Sequence, residues 1–105
     1  MSTACTHLDH VHLDHLPESV AGCEDCLREG TPWLHLRLCL ECGHVGCCDD
    51  SPMRHATAHG RATEHPIIRS IEPGEDWSWC FVDQVGLRIG RLAGETRIPR
   101  SPLGG

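Results

Sequence analysis

The residues with the plainest chemistry lie between Cys39 and Pro66, CLECGHVGCCDDSPMRHATAHGRATEHP, which holds four of the chain's eight cysteines and four of its nine histidines. Cys39 and Cys42 form a CxxC knuckle, Cys47 and Cys48 follow, and His55, His59 and His65 come at spacings of four and six. Thiolate and imidazole are the donors tetrahedral Zn²⁺ prefers, and CxxC lets one tight turn present two sulfurs to one ion. On a helix, His55 and His59 leave the same face one turn apart. A second knuckle, Cys23-x-x-Cys26, precedes the stretch, and Cys5-x-His7 offers half of a further site. His10, His12 and His15 share the repeated HLDH element and read as polar loop. The pattern is that of a multi-zinc finger, not an enzyme core.

Competing chemistries fit less well. A zinc peptidase needs HExxH, in which the Glu activates zinc-bound water; here the segment is HATAH, with Ala56 in that place. A thioredoxin-type pair needs strand–CxxC–helix, whereas Cys39 closes a strand and leads into GHVGC. Cys48 is the thiol left over. Its competing reading is a free, reactive group in a redox-sensing or enzyme-accessory zinc protein. Closed four-coordinate sites are the stronger reading, and no catalytic residue is assigned.

With 105 residues the chain makes one domain. Only 39% of it is hydrophobic, with three Trp, one Phe and no Tyr, so the core is marginal without metal. Structural zinc adds on the order of 10 kcal/mol per site in small peptides, which offsets that weakness. MSTACTHLDH lacks the basic and apolar regions of a secretion signal, so a reduced, cytoplasmic chain is expected rather than a disulfide framework. No stretch approaches the ~20 apolar residues that span a bilayer. The net charge of −6 stays negative after seven thiolates and three Zn²⁺ are counted, which argues against nucleic-acid binding. All nine basic residues are Arg, in keeping with a GC-rich bacterial source, and no lysine is available for modification.

These donors need elements to position them. TPWLHLRLCL alternates as a half-buried strand, with Leu34, Leu36, Leu38 and Leu40 inward and Trp33, His35, Arg37 and Cys39 outward. Trp33 on that outer face is a candidate ligand platform beside Arg37 unless a loop covers it. Ser51 as N-cap and Pro52 at the first position predict a helix to about Glu64, ending before His65-Pro66. PIIRSIE, WSWCFVD and VGLRIGRL read as further strands. The second of these sets Trp77, Trp79 and Phe81 on one face and Cys80 on the other. The expected division is a zinc-finger domain over 1–92 and an unstructured tail over 93–105.

CxH, CxxC, a Trp seven residues on, CxxC, GHVGC, HxxxH, His-Pro and a late Trp-Cys together resemble the UBP-type zinc finger, found in certain deubiquitinases and a histone deacetylase. The match covers roughly residues 5 to 85 and suggests a stand-alone bacterial member. The resemblance implies an α+β fold: a small twisted antiparallel sheet flanked by one or two helices and cross-braced by two or three Zn²⁺, three being favoured. It implies one site of Cys23, Cys26, Cys47 and His55, with Cys47 preferred to Cys48, and a second of Cys39, Cys42, His59 and His65. A third would join Cys5 and His7 to Cys80 and Asp83, where Asp83 stands in place of a cysteine and His10 or His12 is the fallback fourth donor. Family members grip a free C-terminal Gly-Gly of ubiquitin with a Trp, an Arg and late aromatics. Trp33 matches that Trp and Phe81 an aromatic position, without a hydroxyl; Trp79, on the face of Phe81, joins them as a peptide-binding candidate. The Arg position holds Cys48-Asp49-Asp50 instead, which would repel a carboxylate unless Arg54 or Arg37 substitutes. The expected activity is non-catalytic binding of a peptide or protein C-terminus.

Overall fold

The inward leucines build the centre. In the computed structural model, which describes residues 5–104, β1 spans Leu36–Cys39, and Leu36, Leu38 and the following Leu40 are fully buried. β1 pairs antiparallel with β2 (Val45–Cys47) on one side and β3 (Ile67–Ser70) on the other. β4 (Ser78–Cys80) and β5 (Val85–Leu87) complete a five-stranded sheet of order β2-β1-β3-β4-β5. Two helices, α1 (Glu24–Glu29) and α2 (His55–Thr63), make the fold α+β, as expected. Among the described residues, no helix is long and apolar enough to cross a membrane.

Register sorts the two faces. Leu38 lies opposite Arg69, Arg69 opposite Ser78 and Ser78 opposite Leu87; Cys39, Ile68, Trp79 and Gly86 align one position away. Because side chains alternate, the first row faces the core, where Leu36, Leu38, Ile67 and Cys80 meet Val11, Trp33 and Leu92. The second row faces α2. A Cβ on Gly46 would fall 2.7 Å from the backbone nitrogen of Ala56, so only glycine lets the helix rest on the β2 backbone.

One core position is charged. Arg69 is 2% exposed, and its guanidinium donates to the carbonyls of Ser70 (2.6 Å) and Gly94 (3.2 Å). Burial lowers its pKa, though a guanidinium stays protonated.

Three expectations need correction. The helix begins at His55, not Pro52, with Arg54 as N-cap in the left-handed region at φ 47°. The cap is a sulfur: the His55 N–H donates to Cys47 Sγ at 3.2 Å. Ser51 is spent elsewhere, its buried hydroxyl accepting the Leu34 N–H at 2.9 Å. The end of α2 agrees, with Glu64 in the left-handed region before His65-Pro66.

The stretch 93–104, expected as an unstructured tail, lies ordered along the molecule. Ser19 and Arg97 form a parallel bridge: the Val20 N–H donates to the Arg97 carbonyl and the Arg97 N–H to the Glu18 carbonyl, each at 2.9 Å. Thr96 is buried with its hydroxyl on the Pro17 carbonyl (2.9 Å), and Ile98 rests on the core. Composition signalled disorder, but the connector 17–20 supplies the backbone partners that a Pro- and Gly-rich run lacks by itself. Residues 1–4 and Gly105 of the two expected segments lie outside the described residues.

Trp33 is the third correction. It is 8% exposed, its ring set against Gly22 and its carbonyl accepting the Ser101 hydroxyl at 2.7 Å. Ile98 to Ser101 of the same terminal stretch lie beside it.

Candidate functional site

Twelve donors gather into three sets of four, each with its donor atoms within 4.8 Å of one another. In the first, the knuckle opens α1: Cys23 is the N-cap, its sulfur accepting the Cys26 N–H at 3.4 Å. β2 brings Cys47, and the first residue of α2 brings His55. The His55 Nδ1 lies 3.4, 3.3 and 3.6 Å from the sulfurs of Cys23, Cys26 and Cys47, and the Cys26 and Cys47 sulfurs are 3.9 Å apart. Glu29 Oε1 stands 3.3 Å from the far nitrogen of His55 and fixes the ring's direction. All four residues are buried.

The second set hangs from the end of β1. Cys39 Sγ lies 3.4 Å from His65 Nδ1, and Cys42 Sγ 3.3 Å from His59 Nε2. Glu41 reaches His65 Nε2 at 3.6 Å, and His44 stacks flat on His59 with centroids 4.3 Å apart. The third set joins the N-terminal segment to the β4–β5 turn. Cys80 Sγ is 3.6 Å from His7 Nδ1 and 3.8 Å from Asp83 Oδ2, while His7 and Asp83 meet at 2.9 Å. Asp83 Oδ2 also takes the N–H (2.7 Å) and hydroxyl (2.9 Å) of Thr6. The Thr6 backbone bond, then its hydroxyl and His7, hold the Asp83 carboxyl down at about 2.

The donor sets fit zinc. Bonds of about 2.3 Å to sulfur and about 2.0 Å to nitrogen put tetrahedral donors about 3.5–3.8 Å apart, close to the separations in all three sets apart from the His7–Asp83 contact. A disulfide needs sulfurs at about 2.05 Å, and all eight cysteines are unpaired. Burial pushes the Cys23, Cys47 and Cys5 thiols up and Cys39 to about 11, so these thiols keep their protons until a cation replaces them. Each set supplies four donors and so leaves no position open for a reacting water, the mark of a structural site.

The three groupings are those the sequence resemblance implied. Cys47, not Cys48, joins the first set; Cys48 is 4% exposed, with its sulfur 3.4 Å from the Ser51 hydroxyl. His10 turns instead to Glu41 (3.0 Å), and the third set is Cys5, His7, Cys80 and Asp83, with neither fallback donor in it.

Between α2 and the second face of the sheet lies an open groove of about 1070 Å³. Trp77, Trp79 and Phe81 form one wall, Thr57, Gly60, Arg61 and Glu64 of α2 the other, and Ile68 the floor. A Cβ on Gly60 would meet the Phe81 ring at 2.9 Å, so glycine sets how closely the walls approach. Arg37 lies at one end, its guanidinium 4.7 Å over the Trp77 ring and donating to Ser70 Oγ at 3.2 Å. Asp49 and Asp50 border the same end.

The family described as Zn-finger in ubiquitin-hydrolases and other protein matches residues 23–88, most of the chain. This chain is a UBP-type zinc finger. A solution NMR structure of a protein from Rhodopseudomonas palustris is 48% identical, with a TM-score of 0.76 over 95% of this chain and 98% of that one. Mouse ubiquitin carboxyl-terminal hydrolase 45 is 30% identical over 94 residues, 73% of this chain but 11% of the relative. Mouse ubiquitin carboxyl-terminal hydrolase 16 is 42% identical over 48 residues, 42% of this chain and 6% of the relative. The finger thus spans a small fraction of either curated relative.

Of the peptide-binding residues expected in this UBP finger, Trp79 and Phe81 line the groove. Trp33 and Arg54 do not: Trp33 is buried with its ring against Gly22, and Arg54 is exposed outside the groove, its backbone turned left-handed to start α2. Sequence reasoning missed Arg61 and Glu64 as wall residues, although Thr57, Gly60, Arg61 and Glu64 share the i, i+3, i+4, i+7 spacing of one helix face. It also missed His44, Glu29 and Glu41, which show in the sequence only as polar neighbours of ligands.

Proposed function

We propose that this finger is a non-catalytic peptide-binding module, working in the reducing cytoplasm. Three Zn²⁺ hold its frame at the sets of Cys23, Cys26, Cys47 and His55; Cys39, Cys42, His59 and His65; and Cys5, His7, Cys80 and Asp83. The ligand is a peptide with a free C-terminus, lying in the groove with its carboxylate toward Arg37. The observation that carries this reading is a guanidinium held over Trp77 at the end of a groove walled by Trp79 and Phe81. Arg37 sits 3.9 Å from Glu75, which neutralises it only in part, and a carboxylate ligand would gain a charge-assisted contact there. Asp49 and Asp50 oppose such a ligand at the same end, so affinity at the micromolar level or weaker is expected.

The test is a titration of the zinc-loaded, isotope-labelled protein with a peptide ending in Arg-Gly-Gly, against its C-terminally amidated twin. Amide shifts at Trp79, Phe81 and Arg37 with the free acid alone, abolished by Arg37→Ala, carry the reading. Equal shifts with both peptides, or none with either, sink the carboxylate assignment. The mass of the native protein counts the ions; two in place of three removes the set at Cys5 and Asp83. The redox reading has less support, since Cys48 is enclosed against Ser51 and not presented to solvent.

A further inference from the structure

We propose that His44, which ligates nothing in the three sets, is a positioning residue that couples zinc loading at the second set to loading at the first. The inference rests on the assignment of those two sets as zinc sites. His44 stands between them. Its ring lies parallel to that of His59, 7° from coplanar with centroids 4.3 Å apart, and so fixes the rotation that aims His59 Nε2 at the Cys42 side. The opposite hold comes from α1. Asp25 Oδ2 meets His44 Nε2 at 2.7 Å, and Glu24 Oε1 lies 3.5 Å from His44 Nδ1 while its other oxygen accepts the Val45 N–H at 2.8 Å.

α1 is itself a creature of the first set, since it begins at Cys23 and carries Cys26. The contact continues along it: Arg28 bridges Asp25 (2.7 Å) and Glu29 (3.3 Å), and Glu29 reaches His55 at 3.3 Å. A run of polar contacts therefore joins His55 of one set to His44, whose ring stacks on His59 of the other. An ion at the first set fixes α1, α1 delivers Asp25 to His44, and His44 arrives already oriented against His59. By reciprocity, an ion at the second set steadies α1 and favours the first. α2 gives a parallel route, because it carries both His55 and His59. Removing His44 weakens the coupling without abolishing it.

The experiment withdraws zinc from the loaded full chain with graded chelator, following the His55 and His59 ring signals and the ion count in the native mass spectrum. In the wild type the two signals leave together and species lacking one of these two ions are scarce. His44→Phe keeps a flat ring without the Asp25 contact, and Asp25→Asn keeps the ring but loosens its anchor. In both, full zinc content at saturating metal is retained, while the His59 signal is lost at a chelator concentration at least about fivefold below that which releases His55. Simultaneous loss in both variants, or independent loss in the wild type, overturns the coupling. A wild-type protein that carries no zinc at these sets overturns the site assignment instead, and the coupling falls with it.

Discussion

Two adjacent cysteines illustrate how much one residue's direction decides. Cys47 closes β2 with its sulfur among Cys23, Cys26 and His55, whereas Cys48 points to Ser51. Cys47→Ala is expected to lose one zinc ion by native mass and, with it, stabilisation on the order of several kcal/mol; Cys48→Ala keeps the full zinc content. Acid should act on the same sulfurs. With Cys23 and Cys47 raised by burial, each gives up a proton when the ion binds, so affinity at the first set falls by at least about a hundredfold per pH unit as pH drops through neutrality. Competition with a zinc-chelating dye at several pH values reads this directly, and a flat profile would contradict it. Without the ion the sign reverses. The Cys39 thiol, raised from 9.0 to about 11, lends the fold stability below 9.0 that is lost as pH climbs through about 11. At this scale the sequence was legible where chemistry is local: a CxxC announces itself. It was illegible at Trp33, because the Gly22 backbone against its ring and the Ser101 hydroxyl on its carbonyl meet it only through the fold.

At the scale of elements, α2 shows where local signals mislead. Ser51-Pro52 is a sound start signal, yet the sulfur of Cys47 caps the helix and Ser51 serves the Leu34 N–H. Ser51→Ala should therefore cost about 1–2 kcal/mol through an orphaned buried donor, with amide exchange accelerated at Leu34 and unchanged through α2. Faster exchange confined to the first turn of α2 would restore Ser51 as the cap. Gly46→Ala should cost about 1–3 kcal/mol or more in denaturant unfolding, since the new methyl meets helix backbone that cannot swing aside. The runs around β1 and β5 were readable from alternation, whereas β2 and β3, buried at every position, show no such period. The order of the strands was not readable, for register across β1, β3 and β4 depends on pairings between distant segments.

At the scale of the whole molecule, the stretch after Leu92 behaves as part of the domain. Removing residues 94–105 takes away the Gly94 carbonyl that serves buried Arg69, the Ser101 bond to the Trp33 carbonyl and the anchors of Thr96 and Ile98. A loss of about 2–4 kcal/mol and a red shift of tryptophan emission are expected, and an unchanged unfolding curve would show these contacts to be incidental. The pairing of Ser19 with Arg97 has a consequence of another kind. It stitches together a segment from each half of the chain, running in the same direction, as a belt passes back through its own loop. Whatever loosens the connector at 17–20 therefore loosens the stretch at 96–98 as well, and with it the neighbouring Gly94 carbonyl that holds buried Arg69.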